Sequence, residues 1–342
     1  MTDPISVGEW KLKALTDIWT GDADRKGDRL ITTGLLGSIR FWFEVLVRGL
    51  GGSACDPSDH ANRCPQDSQK KSTDDGHHCV VCELFGCTGW ARKFRFQVLD
   101  ENGNVEQNRI KKDQTVRLVF IELRPIRPEE WALLDLTLRL IADYGAIGGH
   151  IVFKPTNELN RQNEFHHKDF GLIQVESAIP RVHACTGNEL RQYVNHVRWR
   201  RVNHDGFAWA SLDNFWCVKG RYLARKDPNV SSYNYVIGRP EPKNQSSQGD
   251  SWIAGRRPNP AQGILSESKK VFSFKDPEKA RRTFGFVESE EGFAQVREKL
   301  EGLKSRAGNR ESDPGWRDFS FENEFRTKER ILSELLREET GT

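Results

Sequence analysis

Hydrophobic and polar positions in the first half of the chain follow two different periods. Apolar residues alternate with polar ones in four segments, which predicts half-buried strands at residues 10–19, 91–99, 115–123 and 171–177. Between them, apolar residues recur at helical spacing over 32–50 and 128–144, which predicts two helices. The resulting order, βαββαβ, is that of the ferredoxin-like fold, which RNA-recognition motifs share.

The second half repeats this pattern less regularly. Strand-like segments at 270–274 and 283–287 precede a helical pattern over 293–303, and an amphipathic helix is predicted at 331–336. This half is therefore interpreted as a divergent repeat of the first.

The predicted fold class is α+β, with two ferredoxin-like (RRM-like) domains at residues 1–177 and 178–342. Residues 51–87 are too polar to bury a core of their own, and we predict a metal-clipped loop there. Residues 225–265 are rich in Pro, Gly, Ser and Asn and are predicted to be a second insertion.

Charge and cysteine content restrict the class of protein. Lys plus Arg number 52 against 49 Asp plus Glu, so a surface for nucleic acid must come from segregated rather than net charge. The seven cysteines are an odd number, which favours a reducing compartment over a disulfide framework. No apolar run approaches membrane-spanning length, so we expect a soluble, cytoplasmic protein with no membrane partner.

The first insertion contains a set of cysteines with metal-ligand spacing. Cys79-x-x-Cys82 can hold one zinc ion from a tight turn, and a closed tetrahedral site needs two further ligands. Cys55 and Cys64 lie upstream in the same polar loop, so we predict a structural Zn²⁺ bound by these four residues.

Two alternatives to the four-cysteine site stay open. A histidine could replace one upstream cysteine, the candidates being His60, His77 and His78. The cysteines could also be ordinary reduced thiols on a loop. Cys87, beside Trp90, is expected to pack as a small hydrophobic residue.

Cationic side chains next to glycines or rings are candidate RNA contacts. Gly34 and Gly37 would let a phosphate approach the start of the first helix, with Arg40 as its partner. Arg40 and Arg48 could equally form a solvated, salt-bridged face with Glu44 between them.

Further cations occur among aromatic residues. Arg92 and Lys93 open a strand that carries two phenylalanines. Residues 188–226 interleave Arg and Lys with aromatic rings, as a single-stranded RNA surface does. The alternative for that region is a second hydrophobic core with cationic side chains along its edge.

Two loops add candidate residues. The loop 145–149 is glycine-rich, and the histidine after it, His150, is interpreted as a surface or RNA-contact residue. In the loop before the first helix, three carboxylates would suit a metal-dependent endoribonuclease, although such residues are usually solvated turn formers: Asp22, Asp24 and Asp28.

Four segments together resemble the RAMP superfamily of CRISPR proteins, and among them subunits of the type III-B (Cmr) RNA-guided effector complex. They are Gly34-Leu-Leu-Gly-Ser-Ile-Arg-Phe-Trp-Phe-Glu44, Val47-Arg-Gly-Leu-Gly51, Cys82-Glu-Leu-Phe-Gly-Cys-Thr-Gly-Trp90 and Gly145-Ala-Ile-Gly-Gly149. The resemblance is specific over roughly the first 175 residues. It implies a non-catalytic subunit that binds crRNA near its 3′ end and the matching target RNA, beside the backbone RAMP subunits of the complex.

The resemblance also implies which residues contact RNA. It places that contact on Arg40, Trp42, Arg48, Gly148 and Gly149. A zinc clip beside a comparable Cys-x-x-Cys turn is found in related backbone proteins. This chain departs from the family after the glycine loop, where the expected Arg-rich residues are absent. The cations that could replace them are Lys154, Arg161 and Lys168.

Overall fold

The computed structural model describes most of the chain, in eleven ranges. These are residues 7–21, 27–57, 59–149, 155–162, 164–179, 185–202, 207–227, 229–239, 252–255, 268–306 and 314–337. The chain forms two compact units, neither of which is continuous in sequence. Unit 1 comprises residues 1–150, 171–213 and 329–342, and unit 2 comprises 151–170 and 214–328. The domain boundary between residues 177 and 178 stays a prediction.

Unit 1 contains a four-stranded antiparallel sheet. Its elements are β1 (Val7–Ala14), α1 (Thr32–Gly49), α2 (Val80–Phe85), β2 (Phe94–Leu99), β3 (Thr115–Glu122), α3 (Pro128–Tyr144), β4 (Ile173–Ile179) and α4 (Gly187–Val194). The strand order is β2-β3-β1-β4, and every neighbouring pair is antiparallel. With α1 after β1 and α3 after β3, this order confirms the predicted ferredoxin-like arrangement.

β1 lies inside this sheet, paired with β3 on one side and β4 on the other, and its side chains alternate between a buried and a more exposed face. Trp10 and Leu12 are buried, whereas Lys11 between them is partly exposed. The Trp10 indole donates a hydrogen bond of 2.7 Å to Asp135 of α3, which fixes the helix against the sheet. The prediction of a strand over 10–19 was too long. After Ala14 the backbone hydrogen bonds go to Leu172 and Ile110 outside the sheet, so the ladder ends.

Unit 2 repeats the strand order of unit 1. Its elements are β5 (Phe215–Lys219), β6 (Arg225–Asp227), β7 (Val230–Ser231), α5 (Ser232–Val236), β8 (Val271–Phe274), β9 (Arg282–Phe286), α6 (Glu290–Arg306), α7 (Phe321–Glu324) and β10 (Phe325–Arg326). The sheet order is β10-β5-β9-β8, again antiparallel throughout, while β6 and β7 form a separate two-stranded ribbon. The second ferredoxin-like arrangement is thereby confirmed.

The core of unit 2 uses large aromatic side chains. Trp216, Tyr233 and Trp316 are buried together with Leu300 of α6. Among the rings of residues 188–226, Tyr193, Trp199, Phe215 and Trp216 are buried, as the hydrophobic-core alternative expected, while Phe207, Trp209 and Tyr222 are half-buried. Residues 225–239 of the predicted second insertion also fold, because β6, β7 and α5 lie there.

The remaining elements are short or terminal. The last helix, α8 (Lys328–Arg337), packs on unit 1, where Glu334 accepts a hydrogen bond from the Tyr144 hydroxyl. Single 3₁₀ turns occur at Phe165–His167, Leu212–Asn214, Trp252–Ala254, Glu278–Ala280 and Pro314–Trp316. Within the described ranges, no helix combines the length and apolar character needed to cross a membrane.

Candidate metal centre and nucleic-acid face

The four predicted cysteine ligands meet in the interior of unit 1. Cys79 caps the start of α2 in an extended conformation, and Cys82 lies in the first turn of that helix. The loop before α2 brings Cys55 and Cys64 to the same place, and all four side chains are buried. Their sulfur atoms lie within 4.8 Å of one another, so the structure brings together the whole predicted set.

The sulfur positions fit a tetrahedral thiolate site. A Zn–S bond of about 2.3 Å implies S···S separations of about 3.8 Å in a tetrahedron. The observed separation of the Cys55 and Cys82 sulfurs is 3.4 Å, close to that value. Hydrogen bonds from the thiols of Cys55, Cys64 and Cys82 hold the pKa of Cys79 well below its usual value. The cluster could therefore hold a metal ion that accepts four soft ligands.

Two arginines donate to the sulfurs. Nη2 of Arg40 lies 3.4 Å from Sγ of Cys82 and 3.8 Å from Sγ of Cys55. Nη1 of Arg200 lies 3.3 Å from Sγ of Cys64. Four thiolates around a divalent cation would leave roughly two negative charges. The two guanidinium groups would compensate these charges in the protein interior.

Arg40 and Arg48 also hold a buried carboxylate between them. Arg40 Nε donates to Glu44 at 2.9 Å, and Arg48 lies 3.7 Å from the other carboxylate oxygen. Burial raises the pKa of Glu44 to about 7, an effect that the two arginines oppose. Arg48 further donates to the carbonyl oxygens of Ala54 and Ala210. The salt-bridged row of the sequence therefore lies inside unit 1, where it joins α1 to the metal loop.

Lys93 belongs to a buried chain of polar groups. Its Nζ contacts Glu83 at 2.7 Å and Glu130 at 2.8 Å, and Glu130 accepts a hydrogen bond from Tyr193. Burial disfavours the charged form of Glu83, but hydrogen bonds from His78 and Lys93 outweigh it and lower its pKa to about 2. This chain connects α2 to α3 and α4, so Lys93 has an internal role, and its contact with RNA stays a prediction.

Trp42 supports the glycine-rich loop from beneath. The side chain is buried, and its indole donates 2.9 Å to the Ala146 carbonyl. A Cβ on Gly145 would approach the Trp42 ring to 2.5 Å, so glycine is required there. RNA contact by Trp42 itself stays a prediction.

Four glycines form a surface at the start of α1, which we call the glycine face: Gly34, Gly37, Gly148 and Gly149. The Gly148 amide donates 3.0 Å to Oγ of Ser38 on α1, and the Gly149 amide donates 2.9 Å to the Trp19 carbonyl. Gly148 has φ of +115°, and a Cβ there would lie 2.6 Å from the Trp19 oxygen. The loop is thus held against the first helix by its backbone.

The glycine face has the electrostatic character of an anion site. Among the described residues, no acidic side chain lies in the first turn of α1 and no side chain caps it. Amide groups and the helix dipole at such an end favour a negative charge. Exposed Arg29, Lys111 and Lys112 lie on nearby segments, which also carry the acidic residues Asp17, Asp28 and Asp113.

The other predicted residues lie in different surroundings. Arg92 is half-buried ahead of β2, and its Nε donates 2.9 Å to the Phe94 carbonyl. Asp28 is exposed. Four candidates lie outside the described residues: Asp22, Asp24, His150 and Lys154.

Sequence reasoning missed two parts of this site. Arg200 reaches Cys64 from 136 positions away, and no local pattern marks it. The carboxylates of Glu83 and Glu130 meet Lys93 from two different helices. A charged residue within a predicted apolar helix face, as Glu130 is, was the available signal.

One protein-family model matches part of the chain. Residues 11–151 match the sequence model of the RAMP superfamily. No curated protein matches at a significant level. Among solved structures, Cmr1 from Pyrococcus furiosus (apo form) aligns with a TM-score of 0.42 and 10% identity, covering 83% of this chain and 88% of that one. A Csm3-Csm4 subcomplex of the type III-A CRISPR-Cas interference complex aligns with a TM-score of 0.25 and 15% identity, covering 50% and 75%.

Proposed function

We propose that this protein, whose residues 11–151 match the sequence model of the RAMP superfamily, is a non-catalytic RNA-binding subunit of a CRISPR effector complex. The sequence motifs favour the first subunit of the type III-B (Cmr) complex. In this role the protein binds crRNA near its 3′ end and the matching target RNA, beside backbone RAMP subunits, in cytoplasmic antiviral defence.

The glycine face is the observation that carries this proposal. It combines a helix start without a side-chain cap, a loop glycine of positive φ (Gly148) and an exposed loop glycine (Gly149). Exposed Arg29, Lys111 and Lys112 lie on other segments of unit 1. Such a surface binds phosphate groups without reading bases. That property suits a subunit that leaves sequence recognition to pairing between guide and target.

The predicted RNA residues divide into two groups in this proposal. The first group contacts the RNA backbone and consists of exposed Gly149, half-buried Gly148 and Arg92, and of His150 and Lys154, which follow the glycine loop in sequence. The second group acts by shaping the surface from within and consists of Arg40, Trp42, Arg48 and Lys93.

We also propose that the metal is Zn²⁺ and that its role is structural. Four thiolates leave no open position for substrate, and Zn²⁺ prefers this closed tetrahedral geometry. The ion would hold the loop 51–87 against α1 through Arg40, which contacts both the sulfurs and Glu44.

A charge placed on the glycine face tests the RNA-binding role. No described atom lies within 4 Å of a Cβ built on Gly37, so a side chain fits there. We expect Gly37→Glu to weaken retention of a crRNA-like single strand about tenfold, since a like charge about 10 Å from a phosphate costs roughly 1–2 kcal/mol near a protein surface. Binding is measured by filter retention over a salt series.

Gly37→Gln is the matched control, because it has the same shape without the charge. It should retain RNA as the unchanged protein does. Equal retention by the Glu and Gln variants would contradict a role for the glycine face. Photocrosslinking to crRNA labelled at either end then tests the 3′ preference.

The same preparations test catalysis. Incubation of RNA with the protein and Mg²⁺ should leave the RNA intact. Cleavage that disappears when Asp22, Asp24 and Asp28 are changed to Ala would establish an endoribonuclease instead.

A further inference from the structure

A second group of metal-type side chains lies beside the four-cysteine cluster. The ligand atoms of His77, His78 and Cys87 all lie within 4.8 Å of one another. Both histidines are buried and Cys87 is half-buried. The two histidine Nδ1 atoms are 2.8 Å apart, which is hydrogen-bond distance, whereas a tetrahedral zinc site would need a separation of about 3.3 Å. A small movement of either ring would admit an ion.

The surroundings of His78 are those of a metal-ligating imidazole. Its Nε2 lies 2.7 Å from a carboxylate oxygen of Glu83, whose other oxygen is held by Lys93. Such a carboxylate fixes the tautomer and leaves the opposite ring nitrogen free to bind a metal. The ring also stacks on Trp90 at 4.9 Å, which restricts its rotation. Nδ1 of His78 is therefore held toward His77.

The turn after α2 brings the thiol to the histidines and leaves access from solvent. Backbone hydrogen bonds run both ways between Cys87 and Trp90, and Gly89 between them has φ of +77°. A Cβ on Gly89 would lie 3.7 Å from Nε2 of His77, so this turn packs directly against that buried ring. Thr88 and Gly89 are exposed.

From this arrangement we propose that His77, His78 and Cys87 form a second site for a borderline divalent cation such as Zn²⁺. Three protein ligands are one fewer than a closed tetrahedral site has. The fourth position is left to water or another exchangeable ligand, on the side where Thr88 and Gly89 face solvent. The site uses none of the four cluster cysteines, although the Cys87 thiol interacts with that of Cys82, and it does not depend on RNA binding. Cys87 is thus a ligand here, and not the packing residue that the sequence suggested.

Metal stoichiometry tests the proposal. The full-length chain, equilibrated with Zn²⁺ and desalted, should contain about two ions by mass spectrometry of metals. Cys87→Ser should reduce the zinc content to about one ion per chain. His77→Gln, which removes a different ligand of the same site, should also leave about one ion. His60→Ala is the control, since His60 is an exposed histidine of the same loop and should leave the content unchanged.

Co²⁺ substitution distinguishes the two sites by their spectra. Titration should show two phases, and Cys87→Ser should remove the weaker one while the thiolate-to-cobalt absorption of the four-cysteine site remains. Glu83→Gln should lower the affinity of the second phase about 10–100-fold, as loss of a carboxylate behind a metal-bound histidine does. Circular dichroism checks that each variant is folded.

Three results would overturn the proposal. The first is a single bound ion in the unchanged protein with no effect of Cys87→Ser. The second is a second ion that persists in both Cys87→Ser and His77→Gln. The third is a second phase with the same affinity in Glu83→Gln.

Discussion

The two ferredoxin-like sheets share a strand order but differ in what surrounds them. In unit 1 the long segment between α1 and β2 carries four buried thiols, and the loop after α3 forms part of the glycine face. Unit 2 is stabilised by different side chains. Buried rings such as Trp216 and Tyr233 form the centre, and Arg221 pairs with Glu324 near the surface.

The two sheets thus share a strand order and differ in the side chains that their loops carry. Both sheets satisfy the same backbone hydrogen-bonding pattern, so either could serve as a scaffold. Among the described residues, both metal-type groups lie in loops of unit 1. A polar loop has no core of its own, so the metal-type cluster substitutes for one. Unit 2 achieves the same compactness by burying aromatic area.

The largest expected difference between the two units is the effect of removing the thiols of the four-cysteine cluster. Cys79→Ser with Cys82→Ser leaves two thiols and two arginines that have lost their counter-charges. We expect loss of about one zinc ion and a fall of several kcal/mol in the free energy of unfolding, because binding of a structural metal is folding free energy. Metal analysis and urea denaturation measure both.

Cys217→Ala is the matched control for that experiment. Cys217 is fully buried in β5 of unit 2 and belongs to neither metal-type group. It should cost about 1 kcal/mol for the lost packing and leave the metal content unchanged. Full metal content and stability in the double variant would exclude the four-cysteine site.

The next largest effect is expected at Lys93, which joins α2 to α3. Lys93→Met leaves Glu83 and Glu130 buried without their shared cation, which typically costs about 3–5 kcal/mol. In the unchanged protein the pKa of Glu83 is about 2, so its ionised form contributes stability above its ordinary pKa of 4.5, and that stability is lost as pH falls through 2.

Acidification should have the opposite effect on the Lys93→Met variant and reduce its loss of stability relative to the unchanged protein. Without Lys93 the two carboxyl groups take up protons more readily, so the deficit relative to the unchanged protein should shrink from about pH 8 to about pH 5.5. Arg95→Met is the control, because Arg95 is exposed on β2 and should change stability by less than about 0.5 kcal/mol. A deficit that is constant across this range would argue against the charge network.

Much of the fold was accessible from sequence because periodicity reports burial directly. The alternation around Trp10 and the helical spacing around Ile39 identified β1 and α1, and four cysteines in one polar loop identified the metal-type cluster. The short helix α2 was not predicted, because six residues carry too little periodic signal.

The roles of charged residues were harder to predict, for a physical reason. Arg40 and Arg48 have the spacing of a solvent-exposed row, yet both lie largely within unit 1. Their burial depends on the loop that folds over α1, and that contact joins residues far apart in sequence. Periodicity describes one element at a time and does not indicate which loop covers it. Arg200, donating to Cys64, is the clearest example.

The smallest expected effect is the difference in stability and RNA binding between alanine variants of one glycine from each unit. Gly148 has φ of +115° and a Cβ there would meet the Trp19 oxygen at 2.6 Å, whereas Gly220 has φ of +79° with no described atom within 4 Å. Both alanine variants incur backbone strain, of about 1–3 kcal/mol where the conformation is sparsely populated. Gly148→Ala must in addition displace the loop from Ser38, so it should be the less stable of the two and should bind RNA more weakly. Gly220→Ala should bind RNA normally. Thermal unfolding and filter retention measured on the two variants test this, and equal RNA affinity would argue that the position of the glycine loop does not matter for binding.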